Sequence, residues 1–243
     1  MLGMPRANRY ILPGYAYHLT HRCHNRSFLL RFAKDRTEYR QRLREAAGAC
    51  SASVLTYCIT SNHVHVLLTA ESPQVVSGLM QKLEGEFAQY YNIRKRRSGA
   101  FWGGRYGCTM IDGGRHLWNC MQYIELNMVR AGVVQHPRQW PWCGFQELSG
   151  KRQRYRLVDT ERVLELCGGG KIADFVASYQ QSIQAGIERQ EFAREPRWTE
   201  SIAVGGEAFV KAVGAQTTNR SELEVEETAA ETWTLRETGL SYG

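Results

Sequence analysis

The chain has 243 residues, 43% of them hydrophobic and 23% charged, a composition typical of a folded globular protein and not of a disordered one. No stretch reaches the about 20 consecutive apolar residues that span a bilayer, so a transmembrane protein is excluded. Residues 1–150 carry 19 Lys and Arg against 9 Asp and Glu, whereas residues 151–243 carry 12 against 15, so the first part has either a polyanionic partner or a surface charge that serves solubility.

The first part of the chain alternates predicted strands and helices. Alternating side chains predict a strand at 14–23, and apolar residues at helical spacing predict a helix at 34–50. Two further strands, 52–60 and 63–70, flank a Ser-Asn-His turn and form a hairpin. A proline in the first turn then predicts a helix over 73–97.

A basic loop, a strand and a third helix follow. The loop at 94–107 reads RKRRSGAFWGGRYG, a short strand is expected at 108–112, and a helix over 114–131 is ended by Gly132. The order strand–helix–strand–strand–helix–strand predicts an α+β fold of the ferredoxin-like or RRM-like type. In this fold an antiparallel sheet carries helices on one face.

The rest of the chain has a different character. A small α-helical accessory region is predicted at 151–216, with helices at 159–167, 172–189 and 207–213. Residues 217–243 are acidic and contain few large apolar side chains, so this tail is expected to be partly disordered. The sequence thus divides into a domain at 1–150, the accessory region and the tail.

Two histidines stand one residue apart in a predicted strand. Because strand side chains alternate between faces, His63 and His65 point the same way, where they either hold a metal ion or pack in the core. The helix that ends the basic part places Tyr123 and Asn127 four residues apart on one flank, with Arg130 close by. A phenol that attacks and an amide oxygen that coordinates suit a metal-assisted phosphoryl transfer by a tyrosine nucleophile.

Four motifs stand in a fixed order between Pro5 and Gly150: NHVHVLL, RSGAFWGGRY, YIELNMVRAG and WPWCGF. With these motifs the sequence resembles the single-tyrosine HUH transposases, named after a His-hydrophobe-His motif. Within that group it is most similar to the REP-associated tyrosine transposases. The resemblance implies an enzyme that cleaves and rejoins single-stranded DNA through a covalent 5′-phosphotyrosine. It also implies a preference for strands flanked by hairpins, the repetitive extragenic palindromes.

The resemblance assigns a role to each residue of the site. His63 and His65 match two ligands of a divalent ion, Mg²⁺ or Mn²⁺, and Asn127 matches the polar residue that completes this site. Tyr123 matches the nucleophile. Met128 stands where relatives usually carry proline, a departure that does not involve the reacting groups.

A second departure lies near the end of the basic part, where Cys143 and Gly144 replace a common serine pair. Like the first, it leaves the reacting groups unchanged, although the activity of this copy is a separate question. The tryptophans of the QWPW stretch just before it are interpreted as packing over the edge of the sheet.

The basic loop is predicted to bind the DNA strand. Its cations would contact phosphates, and Phe101 and Trp102 would stack on bases. The alternative is an ordinary solvated helix end. The predicted DNA-binding residues are Arg94, Lys95, Arg96, Arg97, Trp102, Arg105 and Arg130.

Other classes of protein are weighed against the transposase. A non-catalytic RRM-like RNA binder would carry exposed aromatic residues where His63 and His65 stand, and imidazoles stack less well than Phe or Tyr. A replication initiator or relaxase would normally come with a helicase or a second-tyrosine module, which the sequence lacks. A domesticated transposase that binds hairpins without cutting them stays open.

The cysteines bear on the compartment. The sequence contains seven of them without a Cys-x-x-Cys pair, which indicates reduced, packed thiols rather than a zinc site or a disulfide framework. We therefore expect a cytoplasmic, nucleoid-associated protein with single-stranded DNA as its partner and no membrane partner. The sequence leaves a monomer and a homodimer equally open.

Overall fold

A computed structural model of the protein describes residues 10–190, 193–217 and 223–238. Its strands are β1 (Ala16–Arg22), β2 (Ser53–Ile59), β3 (His63–Thr69), β4 (Gly107–Ile111), β5 (Ala203–Gly205), β6 (Leu223–Ala229) and β7 (Thr232–Glu237). Its helices are α1 (Ala33–Ala49), α2 (Pro73–Lys95), α3 (Arg115–Glu125), α4 (Asn127–Arg130), α5 (Phe145–Leu148), α6 (Thr160–Leu166), α7 (Ile172–Glu188), α8 (Arg197–Glu200) and α9 (Glu207–Gln216).

In the described part of the chain, the strands form one sheet in the order β2-β3-β1-β4-β5-β7-β6. Neighbouring strands run antiparallel except β4 and β5, which are parallel. Strands β1 to β4 with helices α1 and α2 follow the predicted strand–helix–strand–strand–helix–strand order. The predicted ferredoxin-like α+β fold is therefore confirmed.

The two faces of this sheet carry different helices. In β1, the ring of His21 contacts the Glu84 carboxylate of α2, whereas His18 lies beside Tyr123 of α3, with ring centroids 6.3 Å apart. Residues of odd and even number point to opposite faces of a strand, so α2 covers one face and α3 the other. Helix α1 packs with α2, through an edge-on contact between Tyr39 and Phe87 at 5.0 Å.

The outer edge of β2 is covered by the tryptophans of the QWPW stretch. The indole Nε1 of Trp140 donates to the Ile59 carbonyl at 3.0 Å, and the Ile59 amide donates to the Trp142 carbonyl at 2.9 Å. The guanidinium of Arg36 stacks over both rings. Covering an edge strand in this way prevents it from pairing with another chain, which agrees with the packing role expected from the sequence.

The expectation of a disordered tail is wrong for residues 223–238. These residues form the hairpin β6–β7, which extends the sheet beyond β5. Despite the acidic composition, the adjacent residues Thr234 and Leu235 of β7 are almost completely buried, so both faces of this strand are covered there. The accessory region likewise contributes a strand, β5, as well as helices. Residues 218–222 and 239–243 of the tail lie outside the described residues, and the predicted boundary at residue 150 stays a prediction.

The third predicted helix is interrupted. The expected helix at 114–131 consists of α3 and α4, with Leu126 between them at φ −75° and ψ 0°. Gly132 follows with φ +67°, the left-handed conformation that commonly ends a helix, as predicted. In the described ranges no helix is both long and apolar enough to cross a membrane.

Candidate active site

The two histidines of β3 lie side by side on the face of the sheet that α3 covers. The ring centroids of His63 and His65 are 4.9 Å apart and their planes are inclined by 80°. His63 Nδ1 lies 2.7 Å from Asn62 Oδ1 and 3.0 Å from Thr60 Oγ1. An amide oxygen only accepts hydrogen bonds, so His63 carries its proton on Nδ1 and keeps a free lone pair on Nε2.

His65 is enclosed by two polar partners. Its Nε2 lies 3.1 Å from Asn127 Nδ2, and its Nδ1 lies 2.9 Å from His18 Nε2. Burial lowers the pKa of His63 to about 3 and holds the pKa of His65 well below its usual value. Both rings are therefore neutral at pH 7, which is the form that binds metal ions.

Tyr123 reaches the same place from α3. Its ring centroid lies 6.2 Å from that of His65, and its side chain is 6% exposed. The guanidinium of Arg130 stacks on the phenol ring at 4.1 Å and donates to the Tyr123 carbonyl at 2.8 Å. Despite the interruption at Leu126, the helical spacing keeps Tyr123 and Asn127 on one flank. The five residues predicted from the histidine pair and the helix thus come together.

Burial and nearby positive charge have opposing effects on the ionisation of the Tyr123 phenol. Burial raises the pKa of Tyr123 above its usual value of 10, and Arg130 and Arg194 act in the opposite direction. Arg22 also lies within electrostatic range of Tyr123 and of both histidines of β3. The phenol is thus protonated in the free protein, in surroundings whose cations favour the phenolate.

Three further residues of this site were missed in the sequence. His18 and Arg22 share a face of β1 with the histidine pair, because Arg22 stands opposite His63 in the antiparallel register. Trp198 of α8 packs on Tyr123, with ring centroids 6.2 Å apart. The period of two along β1 was the available signal for His18 and Arg22. No local sequence pattern indicates Trp198, because it lies far along the chain from the other residues of the site.

The basic run predicted to bind DNA is largely engaged within the protein. Arg94 and Lys95 form ion pairs with the buried carboxylate of Asp35. Arg97 donates to the Ala100 carbonyl at 2.7 Å and to Asn92 Oδ1 at 2.9 Å. Arg96 is exposed. The structure therefore does not bring this run together with Tyr123, and its DNA contacts stay predictions.

The aromatic residues of the basic loop lie on the other face of the sheet. Phe101 is 1% exposed, so the expected stacking of this ring on a base is wrong. Trp102 stacks on His21 at 4.3 Å and donates its indole N–H to the Glu84 carbonyl at 3.1 Å. Arg105 is exposed and lines a cleft beside Glu84. Neither Trp102 nor Arg105 lies with Tyr123.

The donor set of the site is compatible with a divalent ion. Over residues 10–190, 193–217 and 223–238, no group of three or more His, Cys, Asp or Glu side chains could hold a metal ion. The set here is different: the bare Nε2 atoms of His63 and His65, and the amide of Asn127, which presents Oδ1 after a half-turn about its last bond. Imidazole nitrogen and amide oxygen are ligands that manganese and, less readily, magnesium accept.

Comparison with known proteins identifies the class. Residues 12–127 match the family model described as "Transposase IS200 like". This match over 116 of the 243 residues is to a family of IS200-like transposases and agrees with the resemblance inferred from the motifs. No match was found among curated proteins.

Two solved structures are similar to the chain. One is a REP-associated tyrosine transposase bound to a REP hairpin, with a TM-score of 0.53 and 19% identity, covering 69% of this chain and 98% of that one. The other is a putative transposase from Deinococcus radiodurans, with a TM-score of 0.33 and 20% identity, covering 43% of this chain and 84% of that one. The first of these shares the fold of this protein.

Proposed function

We propose that this protein cleaves and rejoins single-stranded DNA with Tyr123 as the nucleophile. The convergence of the phenol, the Arg130 guanidinium and two neutral imidazoles on one face of the sheet carries the proposal. The family of residues 12–127 supports a transposase, and the geometry supports this particular chemistry. The imidazoles are neutral, as metal binding requires, and the guanidinium carries the positive charge that favours the phenolate once Tyr123 gives up its proton.

The ligands of the proposed divalent ion are the Nε2 atoms of His63 and His65 and the Oδ1 atom of Asn127. When bound, Mg²⁺ or Mn²⁺ would polarise a non-bridging oxygen of the scissile phosphate. The two imidazoles favour manganese somewhat over magnesium, which prefers oxygen ligands. These three protein ligands leave coordination positions for the substrate.

The covalent step exchanges one ester bond for another. The Tyr123 oxygen loses its proton and bonds to phosphorus, the bond from phosphorus to O3′ breaks, and O3′ leaves with the electron pair and takes up a proton. The products are a 5′-phosphotyrosine and a free 3′-hydroxyl, so the ester energy is retained. Attack by a 3′-hydroxyl on the phosphotyrosine then joins strands and releases the phenol. The positive charges of Arg130 and Arg194 stabilise the phenolate in both directions.

The shape and charge of the site favour a single strand. The Tyr123 phenol is almost buried, so a flexible backbone reaches it more easily than a rigid duplex does. Arg22 and Arg194 are exposed cations near the phenol and suit the phosphates on either side of the scissile bond. The similar transposase is described as bound to a REP hairpin, and we infer hairpin-flanked strands as substrates here.

The test is covalent labelling. Purified protein with Mn²⁺ or Mg²⁺ is mixed with a labelled hairpin-flanked oligonucleotide, and adducts are separated on a denaturing gel. Tyr123→Phe is expected to bind the oligonucleotide and form no adduct. Tyr91→Phe is the matched control, because Tyr91 is a helix tyrosine that is also 6% exposed but lies on α2; this variant is expected to form the adduct.

The outcomes separate the candidate functions. An adduct that persists in Tyr123→Phe shows that another residue attacks. Binding without any adduct in the unmodified protein, with either metal, identifies the domesticated hairpin binder instead. Binding of RNA in preference to single-stranded DNA would identify the RRM-like binder.

A further inference from the structure

Three hydrogen bonds connect the C-terminal region through His18 and His65 to Asn127. The Trp198 carbonyl oxygen lies 2.7 Å from His18 Nδ1, His18 Nε2 lies 2.9 Å from His65 Nδ1, and His65 Nε2 lies 3.1 Å from Asn127 Nδ2. The His18 and His65 rings are nearly parallel, with planes 24° apart and centroids 5.1 Å apart. They are only 1% and 3% exposed, so water does not compete for these bonds.

The chemistry of the partners fixes each proton in turn. A carbonyl oxygen only accepts, so His18 carries its proton on Nδ1. A neutral imidazole has one N–H, which makes His18 Nε2 an acceptor and requires His65 Nδ1 to donate. His65 Nε2 is then unprotonated, with a lone pair that faces Asn127 Nδ2 and that can ligate a metal ion once the amide turns.

We propose that His18 is a positioning residue of the divalent-ion site, which holds His65 in the metal-binding tautomer by relaying the constraint of the Trp198 carbonyl. Metal-ligating histidines usually donate their second ring nitrogen to a fixed acceptor. Here that acceptor is a second buried histidine. The inference rests on the proposed role of His65 as a ligand and gives His18 and Trp198 a function in the site.

The Trp198 carbonyl, which begins this series of hydrogen bonds, is available to accept the bond from His18 Nδ1. Helix α8 is only four residues long, and Ile202 donates its N–H to the Leu235 carbonyl at 2.7 Å instead of back to Trp198. Carbonyls of a last helical turn need partners outside the helix, and His18 provides one for Trp198. The segment is held in place where Met110 of β4 donates to the Ile202 carbonyl at 2.8 Å.

This arrangement links two regions of the chain. Trp198 lies beyond the part that matches the transposase family, residues 12–127. By contrast, the other ligand is fixed locally, because His63 Nδ1 contacts Asn62 in the turn that precedes it. Loss of His18 is therefore expected to disturb one ligand of the ion and leave the second in place.

Nitrogen-15 NMR of the metal-free, full-length protein labelled at histidine reads the tautomer directly. Long-range proton–nitrogen correlations are expected to show a protonated Nδ1 and a bare Nε2 for His65, and the same for His18. A His65 ring protonated on Nε2 in the unmodified protein would overturn the inference. This measurement needs no variant and no substrate.

Variants then measure the consequence for metal binding. His18→Phe is expected to weaken Mn²⁺ binding by about 10–100-fold in calorimetry, the usual effect of removing an outer partner of a ligand. His18→Gln is expected to restore most of the affinity and the His65 tautomer, because its Oε1 can accept where His18 Nε2 did. The matched control is His21→Phe, which removes a buried histidine from the other face of β1 and is expected to leave Mn²⁺ affinity unchanged.

Two results would contradict the relay: unchanged Mn²⁺ affinity in His18→Phe, or an equal loss in His21→Phe. Circular dichroism reports whether each variant folds. If His18→Phe does not fold, His18→Asn replaces it, since its amide is too short to reach His65, and the contrast with His18→Gln is the same test.

These readouts are independent of strand cleavage. If Mn²⁺ binding depends on His18 but Tyr123 forms no adduct, the relay stands and the proposed cleavage fails. If the Tyr123 adduct forms while neither the tautomer nor the Mn²⁺ affinity depends on His18, the relay fails and the cleavage stands.

Discussion

Burial of Tyr123 affects its reactivity in two ways. It raises the pKa of the phenol and so disfavours the nucleophilic phenolate before substrate is bound. In the proposed reaction it would also keep water away from the phosphotyrosine, whose hydrolysis would discard the ester needed for rejoining. Arg130, stacked on the ring at 4.1 Å, offsets the first effect without opening the site to water.

His136, which lies away from the site, makes the stability of the protein depend on pH. Burial, with Arg138 and Lys151 nearby, lowers the pKa of His136 to about 4 from an ordinary 6.5. Between these values the unfolded chain binds the proton more readily than the folded chain does, so the contribution of His136 to stability is full above pH 6.5 and is lost as the pH falls toward 4.

We predict that His136→Asn reduces this acid sensitivity. His136 Nδ1 accepts from the Arg138 amide at 3.0 Å, and an asparagine at the same cap position can accept as well without titrating. The melting temperature of the unmodified protein should fall relative to the variant by roughly 2–4 °C from pH 7 to pH 4.5, which corresponds to about 1 kcal/mol after solvent screening. Thermal melts at matched ionic strength measure this. A difference in melting temperature between the two proteins that stays constant from pH 7 to pH 4.5 would contradict the prediction.

At the scale of elements, the contact of α5 with β2 depends on a glycine. A Cβ built on Gly144 would lie 3.1 Å from the Cα of Thr56 and 3.0 Å from Glu125 Oε1, and closer still to Thr56 Oγ1. The same two side chains are hydrogen-bonded to each other at 2.6 Å. This close packing explains why glycine stands at this position.

Gly144→Ala is therefore expected to destabilise the protein by about 1–3 kcal/mol, as overpacking does. Gly48→Ala is the matched control, because no atom lies within 4 Å of a Cβ at this exposed position of α1, and alanine is expected to stabilise the helix by about 0.5–1 kcal/mol. Urea unfolding of both variants measures the two changes. Equal stabilities would contradict the close approach at Gly144.

At the scale of the whole molecule, several cations lie on the face of the sheet that carries Tyr123. Arg22 interacts electrostatically with Arg26 and Arg194, and the Arg130 guanidinium lies over the Tyr123 ring. On the other face, Arg94 and Lys95 face Asp35. Arg22, Arg130 and Arg194 therefore supply positive charge near Tyr123.

We predict that Arg22→Gln weakens binding of single-stranded DNA and lowers its salt dependence. The slope of log affinity against log salt should decrease in magnitude by about 0.7, the value for one phosphate contact on a single strand. Lys82→Gln removes the same charge from an exposed position of α2 and should leave the slope unchanged. Fluorescence anisotropy over a salt series measures the affinity and the slope for each variant. Equal slopes for the two variants would show that the DNA strand does not contact Arg22.

Much of the fold and part of the site follow from local patterns. Period-two alternation and helical spacing define β1 to β4 and the helices between them. The same arithmetic puts His63 beside His65 and Tyr123 beside Asn127. These predictions need only neighbours in the sequence.

The rest depends on distant partners. Arg94 of α2 pairs with Asp35 of α1. His18 is oriented by the carbonyl of Trp198, which lies 180 residues further along the chain. The hairpin β6–β7 is stable because β5 offers it an edge, although its own composition is acidic. Patterns within a segment carry no information on such pairings.

Peptide mapping of the covalent adduct tests the central claim most directly. Trypsin releases residues 116–130 as one peptide, in which Tyr123 is the single tyrosine. After reaction with a hairpin-flanked oligonucleotide and nuclease trimming, mass spectrometry is expected to find the phosphonucleotide on this peptide, bonded to Tyr123. An adduct on any other peptide, with this one unmodified, would contradict the account.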